Sequence, residues 1–327
     1  MTARELRSAG RPAIAVVAAI AVLAATTAAV LSACGSPLAT AGQSGAAGKL
    51  AVVASFYPLQ FATQQIGGDH VVVTNLTKPG AEPHEVELTP RDVASVSRAG
   101  LVVYERGLQG AVDQAVDSEA GERGLNVAPA ANLDLLFQPG IGAPTRTSGG
   151  NAPGTTDPHF WLDPQRYSDV ATVIAQRLSS LDPANKTDYV NNAKALQDKL
   201  AALTGEFKAG LASCWRKEIV TSHSAFGYLA QRFGMVQIAI NGLAPEQEPQ
   251  PSELAAVSTY ARAHGVTTIY AETLASPAIA QAVARETGAT LATLDPIEGL
   301  TTASHGKDYF EIMRSNLKAL RTGQGCS

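Results

Sequence analysis

Short apolar runs and longer amphipathic stretches alternate along most of this chain. Runs of four to six residues rich in aliphatic and β-branched side chains occur at Leu50–Ala54, Val71–Leu76 and Leu101–Tyr104. They recur at Glu218–Ser222, Val236–Ile240, Thr267–Ala271 and Thr290–Leu294. Strands that alternate with helical segments indicate parallel sheets, so the pattern predicts an α/β fold in each half of the chain.

Between the halves the period changes. Tyr189, Ala193, Leu196, Leu200, Leu203, Phe207 and Leu211 step by three and four, which places them on one stripe of a helix. Asp182-Pro183 offers a cap followed by proline at the first helical position. The spacing therefore predicts one long helix over 182–212, a rod of about 40–45 Å. It divides the chain into an amino-terminal lobe, 49–181, and a carboxyl-terminal lobe, 213–327. A coiled-coil seam is the competing reading of the stripe, although the run is short for one.

The start of the chain changes the compartment. Arg4, Arg7 and Arg11 precede an uncharged run from Pro12 to Leu31 that ends in Leu31-Ser32-Ala33-Cys34, the layout of a secretory leader. A retained membrane anchor is the alternative, since the run approaches the roughly 20 residues that cross a bilayer. Residues 35–48, rich in Gly, Ala and Ser, read as a flexible tether. Residues 1–33 hold three of the 25 Lys and Arg and one of the 29 Asp and Glu; the remainder carries 22 against 28, a formal charge of −6. That balance argues against a nucleic-acid partner, which requires a basic face. Setting Cys34 aside leaves Cys214 and Cys326, for which one disulfide is the simplest use in an oxidising compartment and two free thiols the alternative.

Three histidines lie where strand–helix or loop–helix junctions are expected: His84 in PGAEPHEVELTP, His159 in DPHFWLDP and His223 in TSHSAFGYLA. Ligands of open α/β sheets bind beyond the carboxyl ends of the strands, so side chains at such junctions can meet in a cleft. Asp295 in ATLDPIE follows the last strand-like run. Three imidazoles and a carboxylate suit zinc, whereas manganese and iron prefer more oxygen. Asp295 can equally be a helix cap, because Pro296 follows it. His70, His264 and His305 read as structural. The Gly-, Pro-, Ser- and Thr-rich segment 138–156 reads as a loop, and it holds no metal-ligating side chain in its core.

From about Gly48 to Leu320 the chain resembles the zinc/manganese solute-binding lipoproteins that serve ABC transporters, the cluster A-I or ZnuA-like family. The stretches that carry this are FYPLQFATQQIGGDHVVVTNLTKPGAEPHEVELTPRDV, DPHFWLDP, DPANKTDYVNNAKALQDKL, TSHSAFGYLAQRFG, APEQEPQPSEL, IYAETLASP and YFEIMRSNLKAL. The resemblance implies two α/β lobes joined by one helix, with metal held between them by His84, His159, His223 and Asp295. It implies a lipid on Cys34, an extracytoplasmic position on the bacterial membrane, a monomer, and an ABC permease as partner. His223 stands where similar manganese or iron binders often have Glu, which favours zinc. Glu272 and Glu82 are candidates to accept the second N–H of a metal-bound imidazole. Two features depart from the family: the neutral loop before His159, and YERGLQGAVDQAV, which lacks the usual Trp and Gly-Leu-Gly-Leu-Glu wording. The alternatives are manganese or iron transport on the same fold, a metal-binding adhesin, and a secreted zinc hydrolase with Glu272 as base. No HExxH helix supports the hydrolase, and the chain is not expected to be an enzyme.

Overall fold

The structure is a computed structural model that describes residues 48–138, 154–245 and 249–327. The leader, Cys34, tether residues 35–47 and loop residues 139–153 lie outside the described residues.

The first sheet is built from β1 (Leu50–Ala54), β2 (Val71–Asn75), β3 (Leu101–Tyr104) and β4 (Gly124–Asn126), all parallel and ordered β2-β1-β3-β4. Helices α1 (Tyr57–Gly67), α2 (Pro90–Arg98), α3 (Gly110–Ala115) and α4 (Ala128–Ala131) connect or follow these strands. Helix α2 starts where Thr89 and Asp92 form a reciprocal capping box beside Pro90, which satisfies two amide groups that a helix start leaves without partners. Strand β4 has no counterpart in the sequence reading, because its three half-buried residues Gly-Leu-Asn form no apolar run.

Helix α5 (Pro164–Leu181) leads through a short 3₁₀ turn at Pro183–Asn185 into α6 (Lys186–Leu211). The buried residues of α6 are Tyr189, Ala193, Leu196, Leu200, Leu203, Phe207 and Leu211, the stripe that the periodicity marks. They join one hydrophobic core that draws on both halves of the chain, including Leu59, Ile66, Ile174, Leu178, Met313 and Leu320. The stripe is thus absorbed within the chain and is not a seam for a second copy.

The second sheet repeats the first. Strands β5 (Glu218–Thr221), β6 (Val236–Ala239), β7 (Thr268–Ala271) and β8 (Thr290–Thr293) are parallel and ordered β6-β5-β7-β8. They are flanked by α7 (Gly227–Phe233), α8 (Pro251–Ala263), α9 (Ala278–Thr287) and α10 (Tyr309–Gln324). Two parallel sheets flanked by helices and joined by one long helix are the fold class that the sequence predicts. The described residues all fall within one compact unit. A disulfide joins Cys214, just past α6, to Cys326, just past α10. None of the described helices is long and apolar enough to cross a membrane.

Candidate metal centre

Each sheet reverses its winding beside its first strand, and the chain leaving β5 and β7 there brings His223 and Glu272 together. The His223 backbone N–H donates to Glu272 Oε1 at 2.9 Å, and its ring Nδ1 lies 2.5 Å from Oε2. Glu272 thus directs His223 Nε2 away from the sheet. His159 is fixed by a local turn in the same way. Asp157 Oδ1 accepts both the His159 backbone N–H at 2.9 Å and its ring Nδ1–H at 2.8 Å. His84 comes from the irregular segment between β2 and α2, where Glu82 accepts its backbone N–H at 3.0 Å.

The three Nε2 atoms converge on Glu298. Its Oε1 lies 3.1 Å from His159 Nε2, 3.2 Å from His223 Nε2 and 3.6 Å from His84 Nε2, while His84 and His159 Nε2 are 3.3 Å apart. Tetrahedral zinc with ligand bonds near 2.0–2.1 Å has ligand–ligand edges of about 3.3 Å. The donor set therefore has the size and chemistry of a four-coordinate cation site. His159, His223 and Glu298 have fully buried side chains, and His84 keeps 10% exposure.

Electrostatics follow from this crowding. Burial lowers the pKa of His84. Burial acts the same way on His159 and His223, but the carboxylates overcome it: bonds to Asp157 and Glu298 raise His159, and the charges of Glu272 and Glu298 raise His223 well above the usual imidazole range. Burial alone would raise Glu298; the positive charge of His223 and the bonds from all three rings hold it well below the usual carboxylate range instead. Protons shared among a carboxylate and three imidazoles are what a divalent cation would displace on binding.

Asp295 is not part of this group. Its Oδ1 accepts the Ile297 N–H at 2.8 Å, while its backbone is held by Asn316 through two bonds of 2.9 and 2.7 Å. Burial raises its pKa. Glu82, Asp157 and Asp295 each precede a proline, and each caps the amide two residues on. By that comparison Asp295 forms the turn, and the carboxylate that reaches the three histidines comes later, at Glu298. Of the two residues between, Ile297 adopts φ 59° although it is β-branched, a costly conformation held by its surroundings. Trp161 Nε1 donates to Pro296 O at 2.7 Å, tying the His159 segment to this turn.

Of the two acceptors proposed from sequence, Glu272 meets a histidine ring, whereas Glu82 holds the His84 backbone. Asp157 adds a further acceptor, and the repeated acid-Pro-His spelling of Glu82-Pro83-His84 and Asp157-Pro158-His159 is the sequence signal that marks it. Gly227 completes its surroundings, since a Cβ there would stand 2.6 Å from Asp157 Oδ2.

A two-lobed α/β frame with one stiff linking helix and a buried set of three imidazoles and a carboxylate defines a solute-binding protein built around a metal ion. The chain belongs to the ZnuA family, described as zinc-uptake complex component A, periplasmic, which it matches over residues 52–323. It is 34% identical over 300 residues to the high-affinity zinc uptake system protein ZnuA of Bacillus subtilis, covering 89% of this chain and 93% of that one. It is also 34% identical over 293 residues to the zinc-binding lipoprotein AdcA of Streptococcus pneumoniae, covering 87% of this chain but 58% of AdcA. Among solved structures, the Zn(II)-bound ZnuA-like domain of S. pneumoniae AdcA superposes with TM-score 0.70 at 34% identity, over 85% of this chain and 99% of that one.

Proposed function

We propose that this chain is the extracytoplasmic zinc-binding component of an ABC uptake system, held to the membrane by a lipid on Cys34, and that His84, His159, His223 and Glu298 bind the ion. The observation that carries this reading is the convergence of four donor atoms within 4.8 Å of one another, with four of their six spacings at 3.1–3.6 Å, close to the edges of a zinc tetrahedron. The relatives that bind zinc by name share the fold and a third of the sequence.

The chain's residues divide the work. Asp157 and Glu272 fix the tautomer and direction of His159 and His223, so that both present a lone pair at Nε2. Glu298 supplies the one negative charge, leaving a bound divalent cation half neutralised. His84 is the way in. It is the only one of the four with solvent exposure, and among the described residues its Nδ1 has no hydrogen-bond partner. Its segment can move while the two oriented histidines wait. Gly80 N donates to Leu300 O at 3.1 Å, a tie between that segment and the turn carrying Glu298 that closes the site once His84 is in place. Four protein donors leave no coordination position for water, which supports a carrier that hands its cargo to a permease over a catalyst.

The test is metal content by mass spectrometry on residues 35–327, beside His223→Ala. One zinc per chain, lost in the variant, is the expected result. Manganese or iron in its place, or zinc retained by the variant, would overturn the assignment.

A further inference from the structure

Trp215 is 87% exposed, by far the most exposed large apolar side chain among the described residues. It follows Cys214 and precedes β5, so it lies at the opposite end of that strand from His223. The disulfide brings the chain end around Gly325 beneath it: a Cβ at Gly325 would meet Arg216 Nη1 at 3.3 Å and the Trp215 ring at 3.8 Å. Beyond the disulfide is a cleft of about 380 Å³ lined by Arg314, Lys318 and Arg321 of α10, Glu206 of α6, and Cys326. Glu206 is engaged by Arg314 at 2.8 and 2.9 Å. Lys318 and Arg321 are exposed, and among the described residues neither has an ion-pair partner. Glu218, the acid nearest Trp215 in sequence, accepts the Lys217 backbone N–H.

We propose that Trp215, Arg216, Lys318 and Arg321 form an interfacial contact that seats the carboxyl-terminal lobe on an anionic phospholipid bilayer, with the metal centre turned away from it. An indole ring prefers the headgroup region, and basic side chains near it are drawn to anionic lipid. The chain as a whole is acidic, net −4, so this cationic, aromatic corner is where such a surface attracts it. A second copy is a poorer occupant, because an isologous contact would set these cations against themselves. The proposal rests on the membrane-held reading above, and the geometry agrees with it. Lys49 pairs with Asp69 and His70 with Asp188, so the chain enters β1 near the start of α6, while Trp215 lies just past its end. Those 26 residues measure about 39 Å, and the chain between Cys34 and Gly48 can reach roughly 45–50 Å when extended. A tether entering at one end of α6 can therefore serve a contact at the other. Seated this way, the protein collects metal facing outward and must tip over to deliver it.

The chain has two tryptophans, and Trp161 is fully buried, so acrylamide quenching and emission shifts read Trp215. The experiment uses residues 41–327, which hold every described residue and no lipid anchor, and vesicles of phosphatidylcholine with or without 30% phosphatidylglycerol. The expected result is sedimentation with the anionic vesicles and a blue shift of Trp215. Salt at 0.5 M, Trp215→Ala, or Lys318→Glu with Arg321→Glu should each reduce binding at least fivefold. Equal binding by wild type and both variants, or no preference for anionic vesicles, would overturn the proposal. So would protection of Trp215 by millimolar inorganic phosphate alone, or by raised protein concentration without vesicles. Zinc content, measured on the same samples, fails separately if the metal reading is wrong.

Discussion

Replacing Glu272 with glutamine changes one charge behind His223 and little else. The carboxylate is 7% exposed and contacts the fully buried ring at 2.5 Å. A hydrogen bond to a charged group contributes about 1.5–3 kcal/mol. At about 1.4 kcal/mol per decade, its loss from the metal-bound state weakens zinc binding about ten- to hundredfold. Acceptors behind metal-bound imidazoles show losses of that size in general. Asp157→Asn, at 2.8 Å from His159, should fall in the same range, and the pair should exceed either alone. Trp161 provides the assay, since its ring lies 5.2 Å from His159; its emission can be followed while zinc is partitioned against a chelator of known affinity. If both variants bind zinc within threefold of wild type, packing and not the carboxylates orients these rings, and the roles given to Asp157 and Glu272 are wrong.

Glu298→Gln should cost at least about 100-fold in zinc affinity, more than a supporting carboxylate does, whereas Asp295→Asn should change it less than about fivefold; the reverse order would restore Asp295 as the ligand. Glu105 is fully enclosed, neither of its carboxylate oxygens has a hydrogen-bond partner among the described residues, and burial together with Asp157 and Asp113 raises its pKa well above normal. The folded chain then keeps a proton that the unfolded chain releases near pH 4.3, so stability falls as pH rises from that value toward the folded pKa, by at most about 1.4 kcal/mol per unit. In thermal melts of zinc-free protein, Glu105→Gln should therefore exceed wild type at pH 8 and converge with it toward pH 4.5, and parallel curves would refute this. Replacing both Cys214 and Cys326 with Ala, which opens a connection spanning 112 residues, should destabilise by about 2–4 kcal/mol in denaturant titrations; an unchanged midpoint would show the bond to be dispensable.

The sequence made visible what depends on periodicity. Seven apolar residues from Tyr189 to Leu211 mark α6 because a 3.6-residue repeat survives any tertiary context, and seven of the eight strands stand out as apolar runs. Strand β4 does not, since Gly124–Asn126 pairs through its backbone and shows no side-chain pattern. The histidines were legible because each sits at a turn, and two follow proline. The carboxylate was not. Asp295 has the better local signature, an acid before proline, but that signature belongs to turn-forming residues, and the chain delivers Glu298 only after the left-handed step at Ile297. No residue-level rule marks such a step at a β-branched side chain.

The two sheets have the same strand order, and the residue that follows the third strand is glutamate in both, Glu105 in one and Glu272 in the other. One steers a histidine; its twin has no hydrogen-bonding partner for its carboxylate among the described residues. A frame written twice thus holds a spare copy of its own steering post. The amino-terminal lobe steers its own histidine from a different place, with Asp157, whose charge acts on the enclosed Glu105.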